Sequence, residues 1–164
     1  MMGNAELLKL TSPIGQCYAW PAWEGTLKER LRKPTVDIPL EIGSLDAAAL
    51  ITSLVSFRKM DDFLRGKRNH KDDLIGEDFG LACSEILDSE FRIAINKSIA
   101  HVTSVPIESH DLLPVYKLAH PIFVAALDSL IECYAGNDPC LEELKLTKEF
   151  IKNQYNIMQK IFEN

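Results

Sequence analysis

Apolar residues recur at helical spacing through most of this chain, and this periodicity constrains the fold more than any other feature. From Ser44 onward, apolar positions lie three or four residues apart in four long segments joined by short connections. Such spacing gives each helix one apolar face, which has to be buried against another helix. The pattern predicts an all-α fold, an up-down antiparallel four-helix bundle over residues 44–164.

The ends of the first segments are marked by capping and stop residues. Ser44 is a natural N-cap for a helix over residues 45–65, and Gly66 is a natural stop. The charged stretch 67–73 indicates a loop, and apolar spacing predicts a shorter helix over 79–87. Asp88 or Ser89 then caps the helix that leads to His101.

Two longer helices are expected in the last third of the chain. Asp111 can begin the first of them, and His120-Pro121 interrupts it with either a kink or a fresh start that has proline at the first position. Asp138-Pro139 is a typical start for the last helix. The predicted core comprises Leu54, Phe57, Ile95, Ile99, Phe123, Leu127, Leu130, Leu144, Ile151 and Tyr155.

Residues 1–43 have a different composition and predict an irregular N-terminal arm. Prolines recur in this part of the chain, at Pro13, Pro21, Pro34 and Pro39. Proline removes a backbone donor and restricts the residue before it, so a bundle helix is not expected here. Trp20 and Trp23 have two interpretations: they anchor the arm on the bundle or on a second subunit, or they cover their own core. The predicted domains are therefore the arm, 1–43, and a helical bundle domain, 44–164.

Composition narrows the classes of function. No apolar run is long enough for a membrane span, and the N-terminus lacks the features of a signal peptide, so a cytoplasmic location is expected. The four cysteines show no C-x-x-C pairing, which favours free buried thiols, Cys83 among them. No helical pair of histidines suggests a metal site, and His70, His110 and His120 are interpreted as surface or capping residues. No cofactor is expected.

The net charge of −6 opposes general attraction to nucleic acid. Two local basic clusters qualify this statement. One lies within residues 28–33, and the other within 58–71, where four aspartates between residues 61 and 73 dilute it. Mixed charges of this kind are typical of a solvated face, and we favour that interpretation over an RNA-binding patch.

Residues 91–101 carry the side chains best suited to chemistry. Arg92, Asn96 and Lys97 lie on the predicted helix, and His101 follows it. Histidine titrates near neutrality and can transfer protons, and arginine can hold a phosphate through two parallel hydrogen bonds. Arg92 and Asn96 are four residues apart, so they share a polar flank. The alternative is that His101 only caps the last carbonyls of the helix.

The segment Asn96-Lys97-Ser98-Ile99-Ala100-His101 resembles the signature of the HEPN superfamily. That superfamily comprises small all-helical proteins, including metal-independent ribonucleases of abortive-infection and toxin systems. The resemblance implies a dimer whose two signature segments face each other. It extends to helix count and order over roughly residues 45–163, although its specific content is Asn96, Lys97, Ala100 and His101.

One residue of the family pattern is missing. The pattern places an arginine shortly before the histidine, where this chain has Ala94, Ile95 and Asn96. Arg92 lies nine residues before His101, so at about 100° per residue the two side chains point to opposite sides of a continuous helix. A shared site therefore requires a second subunit or a helix break near Ala100.

Two functions follow from the segment. The first is a non-catalytic HEPN-like helical module that acts as a dimeric regulator or as a nucleotide- or anion-binding protein. The alternative is a metal-independent endoribonuclease of the abortive-infection or toxin type, with His101 as the proton-transfer group. In that alternative Arg92 or Lys97 steadies the phosphate, and Asn96 orients a phosphate oxygen or the imidazole. The missing arginine and the acidic balance favour the first, with a homodimer as the expected state.

Overall fold

The computed structural model describes residues 4–27, 39–68, 70–100, 112–133 and 138–163, and all regular structure in these ranges is helical. The elements are α1 (Asn4–Cys17), α2 (Ala19–Ala22), a π-helical turn (Trp23–Leu27), α3 (Pro39–Leu64), a 3-10 turn (Gly76–Phe79), α4 (Ser89–Ala100), α5 (Leu112–Cys133) and α6 (Asp138–Glu163). The prediction of an all-α protein is confirmed for this part of the chain.

Helix α3 is the first of the predicted helices, and it is longer than expected. It begins at Pro39 and not after Ser44, because proline at the first helical position loses no hydrogen bond that the helix needs. Gly66 ends it as predicted. Glycine adopts the φ of 69° found here with little steric cost. The N–H groups of Gly66 and Lys67 donate to the carbonyls of Phe63 and Asp62, respectively.

The prediction of an irregular N-terminal arm is wrong for residues 4–27, and residues 28–38 lie outside the described part of the structure. Residues 4–27 are helical, and Ile14, Tyr18 and Trp20 are buried. Proline does not prevent this. Pro21 lies in the first turn of α2, where a backbone N–H has no helical acceptor, and α1 continues through Pro13.

The two tryptophans belong to the core of their own chain. The Trp20 ring lies 5.7 Å from that of Phe162 in α6, and Trp23 is also buried. Helix α1 packs against both α3 and α6. The predicted boundary between residues 43 and 44 therefore falls inside α3, and residues 4–27 share one apolar core with the later helices.

The short helix expected over residues 79–87 is also absent. A 3-10 turn ends at Phe79, Gly80 follows with a φ of 75°, and the chain then runs without regular structure to Asp88. Ile86 and Leu87 are buried as their apolar character suggests. Their N–H groups, however, bind a carboxylate of α3 in place of helical carbonyls.

The cysteines are free, and the expectation that they are buried holds for two of them. Cys17 and Cys140 are buried, whereas Cys83 and Cys133 are exposed. Cys83 is exposed because the segment that carries it is irregular and not helical. Its thiol contacts the backbone carbonyl of Arg65 at 3.3 Å.

Helix α5 runs without interruption through Pro121, so the fresh start considered for His120-Pro121 does not occur. The last helix begins at Asp138 as predicted. Helices α5 and α6 run antiparallel, because Lys148 pairs with Asp128 and Tyr155, later in α6, stacks on His120, earlier in α5. Ring stacking and the ion pair thus fix the register of these two helices.

The predicted core is largely observed. Most of its members are buried: Leu54, Phe57, Ile95, Phe123, Leu127, Leu130, Leu144 and Ile151. Tyr155 is partly buried, and the side chain of Ile99 lies outside the described part of the structure. Residues of α1 and α2 complete this core, because burying one face of α3 and one of α6 requires a helix between them.

Candidate functional site

The helix that carries the predicted site begins at a side-chain cap. Asp88 Oδ1 accepts a hydrogen bond from the N–H of Phe91 at 2.7 Å, as an N-cap residue does. The prediction that Asp88 or Ser89 caps this helix is confirmed. The cap fixes the first turn of α4, in which Arg92 lies, against the end of the irregular segment.

Asp61 of α3 is the centre of the polar contacts around this site. Its carboxylate is fully buried, and Oδ1 accepts hydrogen bonds from the N–H groups of Ile86 and Leu87 at 3.1 and 3.0 Å. Oδ2 accepts from Arg65 Nε at 2.8 Å and from Arg92 Nη1. Four donors therefore surround one buried carboxylate, which compensates its loss of hydration.

Arg92 uses its guanidinium group to bridge two carboxylates. Nη1 pairs with Asp61, and Nη2 pairs with Asp62, the next residue of α3. The side chain of Arg92 is only 15% exposed. This geometry attaches α4 to α3, and both acidic partners would have to be displaced before the same donors could bind a phosphate.

Asn96 lies beside the same network, as its spacing from Arg92 predicts. Its Oδ1 accepts a hydrogen bond from Arg58 Nε at 3.1 Å, and Arg58 also pairs with Asp62. Arg92 and Asn96 thus meet through Arg58 and Asp62. We call these contacts the Asp61 network, which comprises Arg58, Asp61, Asp62, Arg65, Arg92 and Asn96.

The two remaining predicted site residues are not part of this network. Lys97 is exposed at the C-terminal half of α4, and no ion pair is found for it among the described residues. His101 lies outside the described residues. The structure therefore brings Arg92 and Asn96 together and leaves Lys97 at the surface.

A second polar site, which the sequence did not predict, lies between α5, α6 and the N-terminal helices. Tyr18, at the break between α1 and α2, is fully buried, and its hydroxyl lies 2.8 Å from Nδ1 of His120. The imidazole ring stacks on Tyr155 with a centroid distance of 4.0 Å and an interplanar angle of 3°. His120 was expected at the surface or as a cap, and this expectation is wrong: it is half-buried. We call this contact the Tyr18–His120 junction.

Three neighbouring hydrogen-bond contacts tie the same break to α3 and α5. The hydroxyl of Tyr116 donates to the backbone carbonyl of Cys17 and lies 3.4 Å from Ser53 Oγ. Ser53 Oγ in turn accepts from the N–H of Trp20 at 3.0 Å. Backbone groups left unpaired between α1 and α2 are thereby satisfied inside the core.

Burial shifts the pKa values of the titratable groups at this second site. Burial is the main reason that the pKa values of Tyr18, Tyr116 and Cys17 are well above their ordinary values. Burial, and then the charge of Lys152, lowers the pKa of His120. Each shift favours the neutral form of its group.

The basic cluster within residues 58–71 is largely paired with acidic groups. Arg58 and Arg65 belong to the Asp61 network, and Arg68 pairs with Asp78. The lysines of the cluster, Lys59, Lys67 and Lys71, are exposed. Arginines paired with acidic groups, beside exposed lysines, are consistent with the interpretation of this cluster as a solvated face.

Comparison with known protein families, with characterised proteins and with solved structures finds no match to this chain. Among the helices that the structure describes, none has both the length and the apolar composition needed to cross a bilayer. Within the same residues, no group of three or more His, Cys, Asp or Glu side chains is arranged to hold a metal ion. The case for function therefore depends on the geometry of the two polar sites.

Proposed function

We propose that this chain is a non-catalytic, HEPN-like helical module that acts as a dimeric regulator or assembly partner. The observation that carries the proposal is the pairing of Arg92 with Asp61 and Asp62. In the alternative, a metal-independent ribonuclease, this arginine would steady the charge that develops on a phosphate. Here its donors already serve two carboxylates.

Releasing Arg92 for a phosphate would be costly. Asp61 is fully buried, so withdrawing one of its two guanidinium partners leaves a buried charge that is less well compensated. Asn96 is engaged through its carbonyl oxygen, which leaves Lys97 as the exposed cation of the predicted site. One lysine supplies a point charge without the bidentate geometry that phosphate recognition favours. We therefore favour assembly over nucleotide or anion binding.

A cleavage assay separates the module from the nuclease. Purified protein is incubated with mixed-sequence RNA in EDTA, beside the His101→Ala and Arg92→Lys variants. We expect no cleavage by any of the three, because Arg92 is held by two carboxylates and Lys97 is the one exposed cation among the described residues of the predicted site. Cleavage by the wild type that is lost in His101→Ala, with the helical circular dichroism unchanged, would overturn the proposal.

The resemblance to HEPN proteins suggests α4 as the dimer contact. The main packing partner of α4 is α3, and the outer face of α4 carries Ile93, which is 53% exposed. Covering Ile93 with a second copy removes its apolar surface from water, which favours association. In this arrangement the α4 helices of two subunits face each other.

Light scattering with two matched variants tests this contact. At micromolar concentration the wild type should have twice the 18.5 kDa mass of one chain, and Ile93→Asp should reduce it to one. Leu118→Asp is the control, because Leu118 lies on a different helix and its exposure of 51% is close to that of Ile93. A wild type of 18.5 kDa, or equal effects of both variants, would reject α4 as the interface.

A further inference from the structure

His120 connects three separate parts of the fold through one side chain. Its own helix is α5, its Nδ1 meets the hydroxyl of Tyr18 at the break between α1 and α2, and its ring lies flat on Tyr155 of α6. We propose that the Tyr18–His120 junction is a pH-sensitive latch, which holds residues 4–27 against the rest of the protein at neutral pH and loosens them in acid.

The positions of the protons explain how such a latch works. A neutral imidazole has one N–H, so Nδ1 can accept the hydrogen bond that the Tyr18 hydroxyl donates, and Nε2 then carries the hydrogen. No other acceptor for this hydroxyl is found among the described residues. Protonation places a hydrogen on Nδ1 as well. The Tyr18 oxygen can accept from this new N–H, but the buried hydroxyl hydrogen is then left without an acceptor among the described residues.

The surroundings of His120 add to the cost of protonation. The groups that face His120 are Tyr18, from the turn after α1, and Lys152 and Tyr155, from α6. Cys17 and Tyr116 lie beside Tyr18. Lys152 is the charged member of this set, and it repels an imidazolium. The lowered pKa of His120 has these causes, burial first and Lys152 second.

The sign of the effect on stability follows from this direction. The pKa of His120 in the folded protein lies below its ordinary value of 6.5, so the unfolded chain binds more protons over the interval between the two values. Stability therefore falls as the pH falls through 6.5 and continues to fall until the folded pKa is reached. Above about pH 7 this contribution is constant.

Tryptophan fluorescence can show whether residues 4–27 separate from the rest of the protein. Both tryptophans of the chain, Trp20 and Trp23, lie in this segment and are buried. Trp23 Nε1 also donates to Asp46, a second titratable contact of the segment. Indole emission therefore reports on this segment, and Asp46 has to be controlled.

The experiment follows tryptophan emission of the full chain between pH 8 and pH 5 in four proteins. In the wild type we expect a red shift with its midpoint below 6.5. His120→Gln, which keeps an acceptor for Tyr18 and cannot titrate, should abolish this step, and Asp46→Asn should retain it. Unchanged wild-type emission, or a step that persists in His120→Gln, would overturn the latch.

The fourth protein and a second measurement cover the case in which His120→Gln does not fold. Tyr18→Phe removes the hydroxyl, so the midpoint of His120 titration, followed by nitrogen-detected NMR, should rise toward 6.5. In the wild type the same spectra should show hydrogen on Nε2 at pH 8. Hydrogen on Nδ1 at pH 8, or a wild-type midpoint at or above 6.5, would contradict the proposal.

Discussion

Two buried polar contacts hold this molecule together, and they work in opposite ways. The Asp61 network attaches α4 to α3 through charged groups, with a fully buried carboxylate at its centre. The Tyr18–His120 junction attaches the N-terminal helices to α5 and α6 through neutral groups whose pKa values are shifted away from ionisation. The first is built from paired opposite charges, and the second from groups whose neutral forms are favoured by burial.

The difference predicts how each contact responds to the loss of one member. Removing one charge from the Asp61 network leaves its opposite charges poorly hydrated, a large penalty. Removing one hydroxyl from the neutral site costs only a hydrogen bond, plus whatever partner becomes unsatisfied. Three substitutions test this order.

The largest effect is expected from Asp61→Asn. The amide keeps the shape of the side chain but not its charge, and Arg65 and Arg92 then lie beside each other without a shared anion. We expect a loss of about 3 to 5 kcal/mol in the free energy of unfolding, measured by urea denaturation. Asp128→Asn, in the more exposed pair with Lys148, should cost no more than about 1 kcal/mol. Equal losses would remove the distinction between the network and an ordinary surface pair.

An intermediate effect is expected from Tyr116→Phe. This change removes the hydroxyl that donates to the carbonyl of Cys17, and the carbonyl lies inside the core. An unsatisfied buried acceptor costs about 1 to 3 kcal/mol. The same urea titration measures it, and a loss near zero would mean that the carbonyl has another donor.

The smallest effect is expected from Tyr18→Phe at neutral pH. The half-buried His120 can turn its freed Nδ1 toward water, so we expect a loss of about 0.5 to 1.5 kcal/mol, the net value of one hydrogen bond. Measured at pH 7.5 beside Tyr116→Phe, this variant should be the more stable of the two. The reverse order would show that the junction contributes more than one neutral hydrogen bond.

The sequence predicted the long helices and most of the core because the relevant signals are local. Apolar spacing and Gly66 predicted the C-terminal end of α3 to within a few residues, and Asp138 predicted the start of α6. The N-terminal helices were not predicted, because the prolines in that part of the chain were interpreted as helix breakers. Their actual positions, in a first turn or in a helix that packing sustains, are compatible with helix.

The polar sites were less predictable, since their partners are distant in sequence. Spacing on one helix placed Arg92 and Asn96 together, but nothing local indicated Asp61, 31 residues earlier. Tyr18 and His120 are 102 positions apart, and a histidine before a proline suggested only a helix interruption. Asp61 lies at helical spacing between Phe57 and Leu64, and an acidic residue on such an apolar face is the signal that could have indicated a buried polar network.

The packing of α1 against α6 has a consequence for how the chain acquires its structure. During synthesis the first helix is complete long before its partner exists, and the intervening chain has to close before either can bury its apolar face. Helix α3 is available earlier, but Trp20, whose ring meets that of Phe162, cannot complete its burial until α6 has been made. Completion of this core is therefore a late event, and a truncation that removes α6 should uncover the face of the N-terminal helices that packs against it.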